Sequence, residues 1–350
     1  MKPDAFIILS PGFPKDESDS ACLPSQQLFV HLLSKKYPGI EIIVLAFQYP
    51  FIQSVYDWKG CRVIALGGKG KGKIFRLILW RRAWTTLNKI AREKKIIGLL
   101  SFWCGECALI GKRFGRKYRI EHKCWILGQD AKKGNHYVRK IRPKPAELIA
   151  MSDFLRQTFL KNHSVQPAFV VPNGIDPRSF SSKKLLRDIE LIAVASLIPL
   201  KQFTEFVEVV ALIKNKLPAV RALICGKGPE ENALQELINN KGLQENINLT
   251  GELSHHEVIS MMQRSRLMIH CSAYEGFPTV CLEALGAGTP VISFIQPMNN
   301  GIPNWHIVKD RNSMAEKAMR ILDEPAGEYP SLFPFLMKDS VNKIMHLFGL

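Results

Sequence analysis

Tyr274-Glu275-Gly276-Phe277-Pro278-Thr279-Val280-Cys281-Leu282-Glu283 follows directly on the apolar run Leu267-Met268-Ile269-His270. The order reads as the end of a buried strand, a short loop that opens with a carboxylate, and then a helix. In an open α/β sheet, ligands sit at that strand end. The first amides of a helix have no intrahelical acceptor, so those of Phe277, Thr279 and Val280 point toward a place for phosphate oxygens. Gly276, Phe277, Pro278 and Thr279 are therefore candidate substrate-binding residues. Glu275 would lie beside whatever the phosphate carries, and Glu283, two turns into the helix, would reach a neighbouring polyol. A carboxylate near a sugar and another near a ribose describe a nucleotide-sugar site. Two glutamates at this spacing also occur as solvated helix positions, so the pair needs its surroundings to carry meaning.

Those surroundings are Glu-Gly-Phe-Pro-Thr, continued by Glu283-Ala-Leu-Gly-Ala-Gly-Thr-Pro-Val-Ile292. The whole run resembles the signature of retaining glycosyltransferases of family 4. The resemblance implies a GT-B fold, an α/β architecture of two doubly wound Rossmann-like domains facing across a cleft. It implies transfer of a sugar from a nucleotide-sugar donor to a glycan, with Glu275 orienting the sugar and stabilising positive charge on its ring. Glu283 would hold the ribose hydroxyls. Lys201, in Ser196-Leu-Ile-Pro-Leu-Lys201 after the strand candidate Leu191–Ala195, matches the family's phosphate-binding lysine. The family usually places an arginine where this chain has Ser196, so half of the expected cationic clamp is absent. Cys225-Gly226-Lys227-Gly228-Pro229-Glu230 resembles the family's Gly-x-Gly-Pro-Glu turn, and Gly251-Glu252-Leu253 resembles the loop bordering the base. After the strand Val291–Ile295 the chain departs from the family's Gly-Gly segment, reading Gln296-Pro-Met-Asn-Asn-Gly301.

The remainder of the chain fits that outline. Its 350 residues are too many for one ordinary core and suit two α/β domains. The composition is 46% hydrophobic and 23% charged, without an uncharged apolar run of the roughly 18–20 residues that cross a bilayer. The opening Met1-Lys-Pro-Asp leads straight into Phe6-Ile-Ile-Leu9, which reads as a first strand rather than a signal segment. Eight cysteines, several inside apolar strand-like runs, read as reduced core thiols and point to the cytoplasm. Cys104-Gly-Glu-Cys107 is a lone pair with no second pair to make a metal site.

Charge divides the chain. Residues 1–172 carry 30 Lys and Arg against 12 Asp and Glu, whereas the rest carry 18 against 19. The densest block, Lys69–Lys95, sets Leu77, Trp80, Trp84, Leu87 and Ala91 at helical steps between Arg76, Arg81, Arg82, Lys89 and Arg92. It is a basic amphipathic helix, read either as a core-facing helix with a solvated basic back or as a surface that docks on anionic membrane. No nucleic-acid motif accompanies the charge, and nucleic acid is not an expected partner.

Strand candidates alternate with helical stretches on both sides of Val171-Pro-Asn-Gly-Ile-Asp-Pro177, where Asn-Gly between prolines forces a turn. The expected domains are 1–172 on the acceptor side, 173–336 on the donor side, and a final segment, 337–350, that crosses back to the first domain. In the first domain, strand Phe6–Ser10 ends at Gly12, which is read either as allowing close backbone approach to the donor or as a plain turn glycine. Strand Cys124–Leu127 ends in Gly128-Gln129-Asp130, where family members carry a polar pair facing the sugar. Gln129 and Asp130 take that place, Asp130 as a candidate catalytic residue or as a loop-capping aspartate.

Helix-start amides and Lys201 can stabilise a departing nucleoside diphosphate without a metal, and no Asp-x-Asp metal context appears, so no metal or cofactor is expected. The function expected is a retaining, metal-independent hexosyltransferase of cell-surface polysaccharide synthesis. Its partners would be a nucleotide-sugar donor, a lipid-linked glycan acceptor and the anionic inner face of the cell membrane. The alternatives are a GT-B epimerase or hydrolase acting on the nucleotide-sugar, and a non-catalytic nucleotide-sugar or membrane-binding module.

Overall fold

Two strands with continuous apolar runs anchor the first unit: β1 (Asp4–Gly12) and β2 (Glu41–Tyr49) are buried from Ala5 to Ser10 and from Ile42 to Phe47. Such strands need cover on both faces, which a parallel sheet wrapped by helices supplies. In the computed structural model, which describes residues 2–20, 22–70, 72–181, 185–325 and 329–350, the cover is present on both sides. Ala5, Ile7 and Leu9 share a core with Leu79, Ala83, Leu87 and Phe114, while Phe6 meets Phe348 edge-on at 4.9 Å.

The first unit comprises Met1–Gly174 and Met337–Leu350. Between β1 and β2 lies α1 (Pro24–Lys36), and then follow β3 (Ser54–Trp58), β4 (Cys61–Ala65), α2 (Lys73–Glu93), β5 (Lys95–Phe102) and α3 (Glu106–Tyr118). The order continues through β6 (His122–Ile126), α4 (His136–Ile141), β7 (Leu148–Ala150), α5 (Asp153–His163) and β8 (Phe169–Val170). The sheet order is β3-β4-β2-β1-β5-β6-β7-β8, parallel except where β3 pairs antiparallel with β4. The direction of winding reverses between β1 and β5, and the crevice beyond their carboxyl ends is the unit's natural ligand position. Strand β3 has no apolar signature because it is an exposed edge strand.

Helix α2 corrects one detail of the sequence pattern. Its core stripe is Leu79, Ala83, Leu87 and Ile90, with Trp80, Trp84 and Ala91 packed beside it. Leu77 lies about 200° round the helix from Leu79 and is 62% exposed, in company with Ile74, Phe75 and Ile78.

The second unit, Ile175–Leu336, contains β9 (Ile189–Val194), α6 (Phe203–Lys214), β10 (Ala222–Cys225), α7 (Glu231–Asn240) and β11 (Ile247–Gly251). It continues with α8 (His255–Gln263), β12 (Ser265–His270), α9 (Thr279–Gly286), β13 (Val291–Ser293), β14 (Trp305–Ile307) and α10 (Arg311–Asp323). The six strands are all parallel in the order β11-β10-β9-β12-β13-β14. The chain first winds outward from β9 and then returns to its other side as β12, so the switch point lies between these two strands. The last helix, α11 (Met337–His346), belongs to the first unit: Ser340 donates to Pro172 O at 2.7 Å, and Val341, Ile344 and Met345 are buried. Among the described residues no helix is long and apolar enough to cross a membrane.

Candidate active site

The switch point of the second unit gathers the residues that the sequence singled out. Strand β9 runs into Ser196, Leu197 and a short 3-10 turn, Pro199–Lys201. Strand β12 runs into the loop that carries Glu275 and then α9. The two loops are tied by a backbone hydrogen bond from Ala273 N to Leu200 O at 3.0 Å. Lys201 and Glu275 consequently form an ion pair, with 21% and 15% of their side chains exposed.

A third group completes the cluster. His270, buried as the last residue of β12, holds Nε2 3.5 Å from Glu275 Oε1 and 3.2 Å from Ser272 Oγ. Burial alone would push the Glu275 carboxyl up, but the hydrogen bond from His270 and the charge of Lys201 overcome it and hold the group at about 2. Glu275 is therefore a fixed carboxylate at any physiological pH. Chemically it can orient hydroxyls and stabilise positive charge, but it cannot donate a proton.

The Gly-Lys-Gly-Pro-Glu turn acts as the buttress of this arrangement. Gly226 has φ +148°, and a Cβ there would lie 1.9 Å from Ala195 O; one on Gly228 would lie 2.3 Å from Leu197 O. Leu197 N donates to Lys227 O, and Glu230 N donates to Leu197 O. The glycines thus let the turn press backbone to backbone against the Ser196–Lys201 loop. That packing explains Gly226 without invoking direct ligand contact. Ser196 is exposed at the strand end, where a ligand phosphate would have a hydroxyl rather than a guanidinium.

At the start of α9, no side chain caps the helix. Gly276, Phe277 and Pro278 are buried, and Phe277 stacks edge-on with Trp305 and Phe335 at 6.2 and 5.7 Å. The Phe277 ring is a core anchor that aims the helix start, which leaves its backbone as the part that can face a ligand. Thr279 is the first helical residue. Glu283, on the second turn, accepts from His255 Nε2 at 2.9 Å. The hydrogen bond to Glu283 raises the pKa of His255. His255 is placed there by Ser254, which caps α8 with a capping box completed by Glu257. Leu253 is half-buried just before that cap. Neither His255 nor His270 was singled out as a site residue in the sequence. A histidine that closes an apolar strand, and another at a helix start after a base-bordering loop, were the available signals.

The first unit's candidates fare differently. Asp130 is buried and turned inward: one oxygen accepts from Cys104 N at 2.7 Å, and the other accepts from Gly128 N at 2.8 Å and Leu127 N at 3.2 Å. Burial pushes its carboxyl up to about 6 despite these bonds. The carboxylate expected to face substrate instead fastens the loop after β5 to the loop after β6, the loop-capping alternative. Gln129 beside it is exposed. Gly12 pairs with Tyr49 in the sheet, and a Cβ there would meet only ordinary contacts with Tyr49 and Cys22. Its backbone does not require glycine. All eight cysteines are free thiols, and no His, Cys, Asp or Glu group suited to a metal occurs among the described residues.

Comparison with known proteins matches this geometry to a class. Residues 176–323, nearly all of the second unit, match the model of glycosyl transferases group 1. The chain is 26% identical over 235 residues to a 2-deoxystreptamine N-acetyl-D-glucosaminyltransferase of Niallia circulans, covering 66% of this chain and 54% of that one. It is 25% identical over 217 residues to a poly(ribitol-phosphate) alpha-N-acetylglucosaminyltransferase of Staphylococcus aureus, covering 57% and 42%. The aligned segment thus spans about half the length of these relatives. Among solved structures, Anabaena HepE in complex with UDP and glucose superposes with a TM-score of 0.70 at 15% identity, covering 99% of each chain. TarM superposes with a TM-score of 0.70 at 13% identity, covering 100% and 99%. The chain has the two-domain GT-B fold, and residues 176–323 of its second unit are similar to glycosyl transferases group 1.

Proposed function

We propose that the protein is a retaining, metal-independent glycosyltransferase of family 4 that moves a sugar from a nucleotide-sugar to a glycan acceptor. The observation that carries this reading is the Lys201–Glu275 pair at the switch point of the second unit, with His270 behind it and an uncapped helix start beside it. Lys201 and the α9 amides would take the diphosphate, Glu275 the sugar and Glu283 the ribose. Diphosphate binding would draw Lys201 away and leave Glu275, still charged, beside the anomeric centre. The relatives support UDP as the nucleotide and N-acetylglucosamine as the first sugar to try, since HepE was solved with UDP and glucose and both aligned enzymes carry N-acetylglucosaminyl transfer in their names.

The acceptor is proposed to be lipid-linked, with the enzyme working on an anionic membrane face in cell-surface polysaccharide synthesis. Helix α2 supports this: Ile74, Phe75, Leu77 and Ile78 stand exposed beside Arg76, Arg81 and Arg82, an apolar tip with a cationic collar. Sedimentation with phosphatidylglycerol vesicles should fall several-fold in Leu77→Ser/Ile78→Ser, and equal binding to neutral vesicles would refute the docking.

The activity test is consumption of UDP-N-acetylglucosamine with and without a glycan acceptor. Acceptor-dependent consumption, reduced about 100- to 1000-fold by Glu275→Gln, is the expected result. Consumption that needs no acceptor would favour the epimerase or hydrolase, and binding without consumption would favour the non-catalytic module, for which Ser196 is the observation.

A further inference from the structure

The first unit carries a second concave surface far from the strand ends where a donor or acceptor sugar would sit. It is a groove of 1320 Å³ between the carboxyl half of α3 and the segment from α4 to the start of β7, floored by the first residues of β6. These residues lie at the amino edge of the sheet. The five residues of β6 put about 16 Å between the groove and the opposite edge.

Among the described residues the groove is lined by two acids, Glu121 and Glu147, and both are already neutralised. Lys112 pairs with Glu147 at 2.7 Å and also donates to Arg142 O at 2.8 Å, which ties the two walls together. Lys123, with 6% of its side chain exposed, pairs with Glu121 at 2.7 Å on the floor. Seven further cations line the walls, among them Arg113, Arg116 and Arg119 on one side and Arg139, Arg142 and Lys144 on the other. All are exposed, and none has an acid within ion-pair distance among the described residues. A row of like charges on facing walls repels itself, and a counter-charge lying between the walls relieves that repulsion. Arginine's fork suits phosphate and carboxylate groups.

The geometry points to a site for a linear anionic glycan, a chain carrying phosphate or carboxylate at several positions. Concavity argues against a flat bilayer as the occupant, as does the lack of large exposed apolar side chains in the lining, which the tip of α2 by contrast carries. Among the described residues no Phe, Tyr or Trp lines the groove, so nucleobases would have no aromatic ring to stack on. Resting on the transferase reading above, the occupant is the body of the acceptor. A growing chain longer than the width of the sheet would lie in the groove while its end reaches the opposite edge. The consequence is an enzyme that prefers long charged acceptors over short or neutral ones.

Anisotropy of a labelled oligogalacturonate tests the site, beside a neutral malto-oligosaccharide of equal length and phosphatidylglycerol vesicles. The expected result is salt-dependent binding of oligogalacturonate and none of the neutral chain. Two independent variants, Arg113→Gln/Arg116→Gln/Arg119→Gln and Arg139→Gln/Arg142→Gln, should each weaken that binding at least tenfold and flatten its dependence on salt by about 0.7 per charge removed. Both should keep the wild-type affinities for UDP and for vesicles. Unchanged oligogalacturonate binding in either variant, equal binding of the neutral chain, or a parallel loss of vesicle binding would overturn the proposal. UDP affinity is read separately, so failure of the donor-site reading and failure of the groove give different results.

Discussion

The two units share a parallel sheet wound in both directions from a switch point, yet they treat charge in opposite ways. In the second unit the ionic groups near the strand ends are matched to one another: Lys201 with Glu275, His255 with Glu283, Arg311 with Glu205. In the first unit the excess of cations is left facing outward, on α2 and in the groove beside α3. A site whose groups pair internally can exchange those pairs for a small charged ligand and be restored when it leaves. A surface of unmatched charge remains incomplete until something large and anionic covers it. On the proposed reading, the small donor belongs to the second unit and the acceptor and its membrane to the first.

The largest effect should come from the packing that builds the second unit's internal pairing. Gly226→Val forces a side chain into Ala195 O and into a backbone conformation hostile to it. A loss of about 2–3 kcal/mol is expected, seen as an earlier thermal transition of the second unit together with weaker UDP binding. A variant as stable as wild type would show that the loops at the switch point are not held by this contact. A smaller effect is expected in the first unit. Asp130→Asn places an amide against the Cys104 N–H and should cost about 1–2 kcal/mol, with turnover reduced no more than the loss of folded protein explains. Since the folded pKa of Asp130 is raised to about 6 from 3.8, the wild type loses stability as pH rises through that interval, and the variant should lack this dependence. A 100-fold fall in turnover at full stability would restore the catalytic role.

The smallest effect concerns His255. A base with a raised folded pKa keeps its added stabilisation below the ordinary value of 6.5 and loses it as pH climbs through the raised value. Above that point Glu283 has lost its cationic partner and is free for ribose hydroxyls. UDP affinity should therefore rise roughly threefold between about pH 6 and pH 9, the size of a partly exposed pair. His255→Asn should flatten the profile; an unchanged profile would remove His255 from the account.

Much of the second unit was legible because its chemistry is local in sequence. The strand, loop and helix around Glu275 carry their signals within one short segment, and the glycines of the 225–230 turn mark the place where two backbones touch. The tie between Lys201 and Glu275 is not local; it exists because β9 and β12 are neighbours, which only the reversal of winding produces. The first unit was harder to read. Asp130 looks identical in sequence whether its carboxylate faces solvent or three amides, since those amides come from two separate loops. On α2, two interleaved sets of apolar residues compete for the core, and only packing shows that Leu79 won and Leu77 stayed outside. The basic residues of the groove come from two separate stretches of sequence, and only the folded arrangement brings them together and pairs its two acids.

On the proposed reading, the paired groups of the second unit form a metal-free nucleotide site. Calorimetry of UDP with wild type and Glu283→Ala in EDTA tests it most directly. UDP is expected to bind the wild type with the metal chelated, and Glu283→Ala to weaken that binding by about tenfold, the worth of hydrogen bonds to a charged group. No binding to the wild type in EDTA, or equal binding to the variant, would contradict it.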